Sequence, residues 1–322
     1  MGKFIIRRTL IMIPQLFLLS VLIFVLAKAM PGNAMTSVLA NHPNIDQSSI
    51  HLQEKMLGLN DPIAVQYWHW LVGVFHGSLG VSFIQHIPVT QLIGDRLQNT
   101  LLLALCTLVV TYLIAIPLGI AGGRWENSPL DRVITGYTYV SYAMPVFVFA
   151  IFLLFIFSFW LDWFPVGGSI DPGVQQWTPA YFANLGYHLV LPTLAGAILS
   201  TSVKIQYLKS EIVDTKLKDF VNTARSKGVP ERRIYTRHIL RNSFLPIAAF
   251  LGYDITGMIG GSVFIETIFS YPGLGQLFVQ SITQRDYAVV TALVMISGLA
   301  ALIGTLLSDI ILSLVDPRIH VE

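Results

Sequence analysis

The sequence predicts an all-α protein built into a membrane, with about six transmembrane helices. Composition is the first reason: hydrophobic residues fill 54% of the 322 positions and charged ones only 12%, for a mean hydropathy of +0.65. A soluble globular chain carries about a quarter charged residues, so this one is suited to a less polar solvent. The second reason is the recurrence of long uncharged runs. The third is the confinement of basic residues to alternate intervals between those runs.

The apolar segments cover residues 9–30, 100–123, 133–160, 187–203, 244–269 and 288–315. About 20 residues at a rise of about 1.5 Å each span the hydrocarbon core of a bilayer. Helices are expected because lipid leaves every backbone amide and carbonyl to be satisfied within the segment. The first run could be read as a cleaved signal, since Ala27-Lys28-Ala29 resembles a small-x-small cleavage site. Its uncharged stretch is longer than the usual ~7–15 residue signal core, so retention as a first span is expected.

Charge sets the expected orientation. With the amino terminus in the cytoplasm and six alternating spans, sixteen of the 20 Lys and Arg residues fall on the cytoplasmic side. They include Arg7, Arg8, Arg124, Arg132, ten from Lys204 to Arg241, and Arg318; only Lys28, Lys55, Arg96 and Arg285 fall opposite. This is the asymmetry of the positive-inside rule, and it places both termini in the cytoplasm. The expected organisation is an N-terminal tail and first span (1–30), an external segment (31–99), a five-helix core (100–315) and a cytoplasmic tail (316–322).

The external segment contains Tyr67-Trp68-His69-Trp70, an aromatic amphipathic piece suited to the membrane–water boundary as an anchoring helix. His69, His76 and His86 lack the close spacing of a metal site. The single cysteine, Cys106, excludes an intrachain disulfide and reads as an inert thiol in an apolar run.

The most charged stretch is the loop 206–243, with the core Asp219-Phe220-Val221-Asn222-Thr223-Ala224-Arg225-Ser226-Lys227-Gly228-Val229-Pro230-Glu231-Arg232-Arg233. Two helical patterns meet at Gly228, a residue type that takes the left-handed conformation at helix ends, and Pro230 suits the first turn of the second helix. The expected form is a short helix-turn-helix against the membrane. Read without further context it is equally a solvated basic face that sets topology, or a patch for anionic lipid head groups.

Within the spans, Asp254 is costly in hydrocarbon and must face protein or water. It either lines a translocation path, where it could meet a peptide amino terminus, or hydrogen-bonds a neighbouring span. Glu266 and Asp309 lie nearer the membrane boundaries and suit structural pairing. Gly119/Gly123 and Gly257/Gly261 have the spacing that lets helices approach closely. The chain lacks the Gly-x-x-x-x-Gly-Lys-[Ser/Thr] phosphate loop, His-Glu-x-x-His and Gly-x-Ser-x-Gly. It therefore does not bind ATP through a phosphate loop, and the simplest hydrolase readings are removed.

The arrangement Asn222-Thr223-Ala224, three residues, then Gly228, with Leu245-Pro246 following, resembles the EAA loop of ATP-binding-cassette importer permeases. Thr-Ala-Arg-x-Lys-Gly is similar to the peptide-transporting branch. Phe4-Ile5-Ile6-Arg7-Arg8 with Ile13-Pro14 and Pro31-Gly32 resembles the first (B-type) of its two membrane subunits. That branch usually continues Pro-Gly-Asp-Pro, where this chain has Asn33 and Ala34. The stretches 260–269, 271–275, 285–287 and 316–318 look like the same branch, so the resemblance covers essentially the whole chain.

The resemblance implies a type I importer permease fold in the inner membrane. It also implies a second homologous permease, two cytoplasmic ATPases that bind ATP and Mg, and an extracytoplasmic peptide-binding protein. No cofactor is expected in this chain. It assigns ATPase coupling to Asn222, Thr223, Ala224, Arg225, Lys227, Gly228, Pro230, Arg232 and Arg233, and no residue to covalent chemistry. Nickel or another small solute is the alternative substrate, and an ATPase-independent secondary transporter the alternative class.

Overall fold

The computed structural model describes residues 2–29, 61–260 and 262–315, and every regular element among them is a helix. In order these are α1 (Gly2–Ala29), α2 (Ile63–Phe75), α3 (Val89–Arg124), α4 (Pro129–Ala143), α5 (Val146–Leu154) and α6 (Pro179–Lys216). There follow α7 (Asp219–Ser226), α8 (Glu231–Arg233), α9 (Leu240–Ser243), α10 (Leu245–Gly260), α11 (Val263–Ile268), α12 (Leu274–Thr283) and α13 (Tyr287–Val315). Short π-helical stretches extend α5 over Phe155–Trp160 and join α8 to α9 over Ile234–Ile239. The motif stretches at 31–34 and 316–318, the residue Gly261, and the side chains of Leu245, Pro246 and Asp309 lie outside the described residues.

Among the described residues four helices are long and apolar enough to cross a membrane: α1, α3, α6 and α13. The expected third span, 133–160, is a bent pair, α4 and α5, turned by 100° at a short break. The cause is local. Pro145 disfavours helical torsions at the residue before it, and Met144 is extended at φ −81°, ψ 120°. Counted as one span, this pair makes five. The expected segment 244–269 divides into the 16-residue α10 and the 6-residue α11, interrupted near Gly260. The expected fourth span, the shortest read from sequence, becomes the longest helix, 38 residues ending at Lys216. Its polar continuation past Val203 keeps good helix formers and no glycine, so nothing stops it at the edge of the apolar run.

Two caps fix where spans begin. The Ser128 side chain accepts the Asp131 amide at 3.1 Å with Pro129 next to it, opening α4. The Thr178 side chain accepts the Tyr181 amide at 3.2 Å with Pro179 next to it, opening α6. Both follow the same logic: a short polar side chain takes an orphan donor, and a proline preset to helical φ follows it.

The chain divides into two compact units. The first comprises residues 1–101, 259–263 and 272–302. In it α2 packs on α1 through Phe24, whose ring centroid lies 5.4 Å from that of Tyr67 and 5.8 Å from that of Trp70. The aromatic piece is thus a helix bound to α1, leaving Trp68 and Phe75 exposed. A core of Val89, Leu92, Ile93, Leu274, Leu277, Val289, Ala292 and Leu293 joins α3, α12 and α13. The 81–88 turn is tied to this core where Ser82 donates to Asp286 at 2.5 Å.

The second unit comprises residues 102–258, 264–271 and 303–322. One core, with Leu103, Ala150, Leu189, Leu191, Ala195, Ile265 and Phe269 in it, joins α3, α5, α6 and α11; Cys106 packs beside it, half-buried. A second core sits under the charged loop. Helices α3 and α6 lie in close contact. A Cβ added at Gly123 would sit 2.7 Å from Ile212 Cβ, and one at Gly119 would sit 3.0 Å from Leu208 Cβ. The first small-residue pair therefore packs helices as expected, whereas a Cβ at Gly257 would meet nothing within 4 Å. Segment 161–178 is pinned to the start of α6. Asn184 donates to Asp171 at 2.6 Å, and the His188 ring nitrogens lie 3.2 Å from Asp171 and from the Gly168 carbonyl. The Asn184 amide, and then His188, hold the Asp171 carboxyl below its usual range.

Candidate functional site

Two places in the second unit carry chemistry: the charged loop and a polar contact within the spans. In the loop, α7 ends in a Schellman motif, in which the residue after the helix turns left-handed to satisfy the last carbonyls. Gly228 has φ +73°, its amide donates to the Arg225 carbonyl at 2.9 Å, and the Val229 amide donates to the Ala224 carbonyl at 3.2 Å. Val229 also packs against the apolar cluster beneath, the hydrophobic contact that usually accompanies this motif. Pro230 stands just outside α8 rather than in its first turn, in extended conformation at φ −57°, ψ 137°. Its missing amide costs nothing there.

The two helices have opposite faces with opposite fates. Val221, Ala224, Ile234, Tyr235 and Ile239 are buried against Leu208 and Ile212 of α6, with Tyr112, Ile116 and Ile120 of α3 alongside. The expected site residues Asn222, Thr223, Arg225, Lys227, Gly228, Pro230, Arg232 and Arg233 are all exposed on the other side, and Ala224 alone points inward. Arg225 Nε donates to Glu231 at 2.7 Å across the turn, between side chains 44% and 69% exposed. Such an exposed pair contributes well under 1 kcal/mol, so backbone and packing hold the turn.

Three further contacts weld the loop to the spans. The Arg124 guanidinium lies 5.0 Å from the Tyr235 ring centroid and 5.1 Å from that of Trp125. Lys216 at the end of α6 donates to the Gly123 and Arg124 carbonyls, capping α3. Burial pushes the Tyr235 phenol above its ordinary range, and its hydroxyl donates to the Ile120 carbonyl at 3.3 Å. Leu217 and Phe220 are exposed beside the cations, Leu217 to 75%. These residues were missed in the sequence. Leu217 and Phe220 were readable as apolar residues in a charged stretch, but nothing local marks Arg124, Lys216 or Tyr235.

Deeper in the unit, Asp254 of α10 does not stand alone. Lys204 of α6 reaches it, Nζ to Oδ2 3.1 Å, and the Tyr112 hydroxyl of α3 donates to the same oxygen at 2.8 Å. Lys204 Nζ also lies 5.6 Å from the Tyr112 ring centroid and 5.9 Å from that of Phe250. Lys204, counted from sequence among the loop cations, is instead inside α6 with a side chain 10% exposed. The apolar run of α6 ends at Val203, so hydropathy sets Lys204 at its edge and gives no sign of its partner on α10. Another largely buried pair, Lys209 with Asp131, joins α6 to α4. Glu266 is fully buried on α11. Among the described residues no group of three His, Cys, Asp or Glu side chains could hold a metal ion.

Two family models together match most of the chain. The N-terminal membrane component of binding-protein-dependent transport systems matches residues 1–104, and the inner membrane component of those systems matches residues 115–321. The chain is 39% identical over 321 residues to the oligopeptide transport system permease protein AppB of Bacillus subtilis (strain 168), covering 99% of this chain and all of that one. It is 31% identical over 320 residues to the glutathione transport system permease protein GsiC of Salmonella choleraesuis (strain SC-B67), covering 99% of each. Its fold is similar to a chain of the MetNI methionine ABC transporter in an inward-facing form, with a TM-score of 0.50 at 14% identity, covering 69% of this chain and 96% of that one. It is similar again to an amino acid ABC transporter chain, with a TM-score of 0.50 at 20% identity, covering 71% and 95%. Matched from end to end and built from membrane-length helices, the chain belongs to the inner-membrane permease components of binding-protein-dependent ABC transport systems.

Proposed function

We propose that this chain is a non-catalytic membrane subunit of an ATP-driven importer of oligopeptides or dipeptides. It forms half of the translocation path with a second homologous permease. Two cytoplasmic ATPases, which bind the ATP and Mg, dock on the loop built from α7 and α8. An extracytoplasmic peptide-binding protein delivers substrate, and both termini lie in the cytoplasm. The observation that carries this reading is the two-faced loop: its inner face is packed on α3 and α6, and its outer face presents the cations of the motif with Leu217 and Phe220. A partner that pulls on the outer face moves two spans together, because the inner face shares a core with them. Peptide as substrate rests on the full-length similarity to AppB, whose name states oligopeptide transport.

The test is uptake of labelled peptides of two to six residues by cells with and without this gene, in a background lacking other peptide importers. Loss of uptake at particular lengths supports the reading and gives its selectivity. Unchanged uptake at every length refutes peptide as the substrate and leaves the permease architecture standing.

A further inference from the structure

The Lys204–Asp254 contact is more than a neutralised charge. Tyr112 lies midway along the apolar stretch of α3, roughly 18 Å of helix from Arg124, and Asp254 lies inside the apolar run of α10, so the contact sits among the spans, with Lys204 entering it from the end of the apolar run of α6. Bringing two charges among the spans costs more than a hydrogen bond between neutral side chains would, so a purely structural tie has cheaper solutions. The pair is also incompletely enclosed: the Asp254 side chain remains 24% exposed and the Lys204 side chain 10%. An exposed edge of a carboxylate cannot face hydrocarbon, so it faces water or another protein surface.

The surroundings give each charge an alternative to its partner. Tyr112 holds Asp254 Oδ2 at 2.8 Å, while among the described residues Oδ1 is engaged only by Lys204, at 3.4 Å. The Lys204 ammonium lies between the faces of Tyr112 and Phe250, the second steadied by Tyr207 at 5.1 Å between centroids. Aromatic faces attract an ammonium by their quadrupole, so Lys204 keeps partners while Asp254 turns to another cation. A single free ion would break the pair and leave one charge without an opposite charge. A zwitterion would not: its ammonium replaces Lys204 on Asp254, and its carboxylate replaces Asp254 on Lys204, so no charge is unpaired after the exchange.

We propose that Lys204 and Asp254 form an exchangeable ion pair that takes up the free termini of a peptide in transit, the ammonium on Asp254 and the carboxylate on Lys204. This rests on the peptide-importer reading above. It predicts a site that favours free termini over blocked ones, with Tyr112 fixing the carboxylate and Phe250 steadying the displaced lysine.

The experiment uses the full transport complex in membrane vesicles. Probes are trialanine with free ends, N-acetyl-trialanine, and trialanine amide. For each variant the free-to-blocked uptake ratio is divided by the wild-type ratio, which cancels any selection by the binding protein. Asp254→Asn is expected to lower the free-to-acetylated ratio about tenfold or more, the effect of losing a charge-assisted hydrogen bond. Lys204→Met is expected to lower the free-to-amide ratio similarly. The double variant Asp254→Asn/Lys204→Met leaves no unpaired charge, so it tests the idea even if a single variant fails to assemble; it should transport with neither preference. Wild-type ratios in the double variant mean that the pair only ties α6 to α10, and overturn the proposal. Absence of any peptide uptake by the wild-type complex overturns the peptide reading itself, a different failure.

Discussion

Gly228 offers the sharpest test of the docking loop. It stands at φ +73°, and a Cβ added there meets nothing within 4 Å. The cost of alanine is therefore conformational alone, about 1–2 kcal/mol for an L-residue held left-handed. That lowers the ratio of closed to open turn by a factor of about 5 to 30. Asparagine tolerates the left-handed region better and should cost less. Proline is different in kind. Its φ is fixed near −65°, and it has no amide to give the Arg225 carbonyl, now bonded at 2.9 Å. It forfeits that bond, about 1 kcal/mol, and cannot form the turn at all. If docking requires the closed turn, ATPase affinity for the solubilised permease should fall in the order Gly, Asn, Ala, Pro. Membrane levels should stay equal, because the spans are untouched. Equal binding and equal transport-linked ATP hydrolysis by the glycine and proline forms would refute the assignment of this turn as the docking element.

Three other outcomes follow from the same structure. Charge reversal at Arg225 and Lys227, both exposed, should abolish ATPase binding in pull-downs and leave membrane insertion normal; retained binding would point to Leu217 and Phe220 as the contact instead. Gly123→Ala places a Cβ 2.7 Å from Ile212, an overpacking cost of about 1–3 kcal/mol that outweighs the ~1 kcal/mol gained in helix propensity, whereas Gly136→Ala has open space and should be neutral or stabilising. Thermal unfolding in detergent reads both. Finally, the Asp171 carboxyl is held below its ordinary 3.8, so its contribution is present above that value and lost as pH falls through the depressed one. Asn184→Ala removes the leading cause and brings the folded value back toward 3.8, so the loss of thermal stability on acidification below that pH should be smaller than in the wild type.

What the sequence made legible depended on whether a signal was local. The apolar runs gave α1, α3, α6 and α13 because each run is itself the helix. The glycine of the loop was readable because one backbone conformation demands it. The bend at Pro145 was missed although the proline was visible, since an apolar run of span length hides a break within it. Of the docking loop, the outward residues were legible from their pattern, and the inward ones were not. Tyr235 and Arg124 meet only because α3 and α6 close on each other at Gly119 and Gly123. For Asp254 the sequence offered a bond to a neighbouring span as one of two readings, but not the partner: Lys204 and Tyr112 are far from it in the chain.

The length of α6 has a mechanical consequence. Its 38 residues make a rod about 57 Å long, nearly twice the ~30 Å hydrocarbon thickness. One end is fastened to the α3 terminus by Lys216 and the other to the 161–178 segment by Asn184 and His188. Such a rod acts as a lever arm: tilting it by about 5° at one end swings the other by roughly 5 Å, about one helical turn. Pro192 lies inside it, so any flexing is localised between Lys204 and the far fastening rather than spread along the shaft. A small rotation at the loop end would therefore be carried along the helix to the segment fastened at its far end.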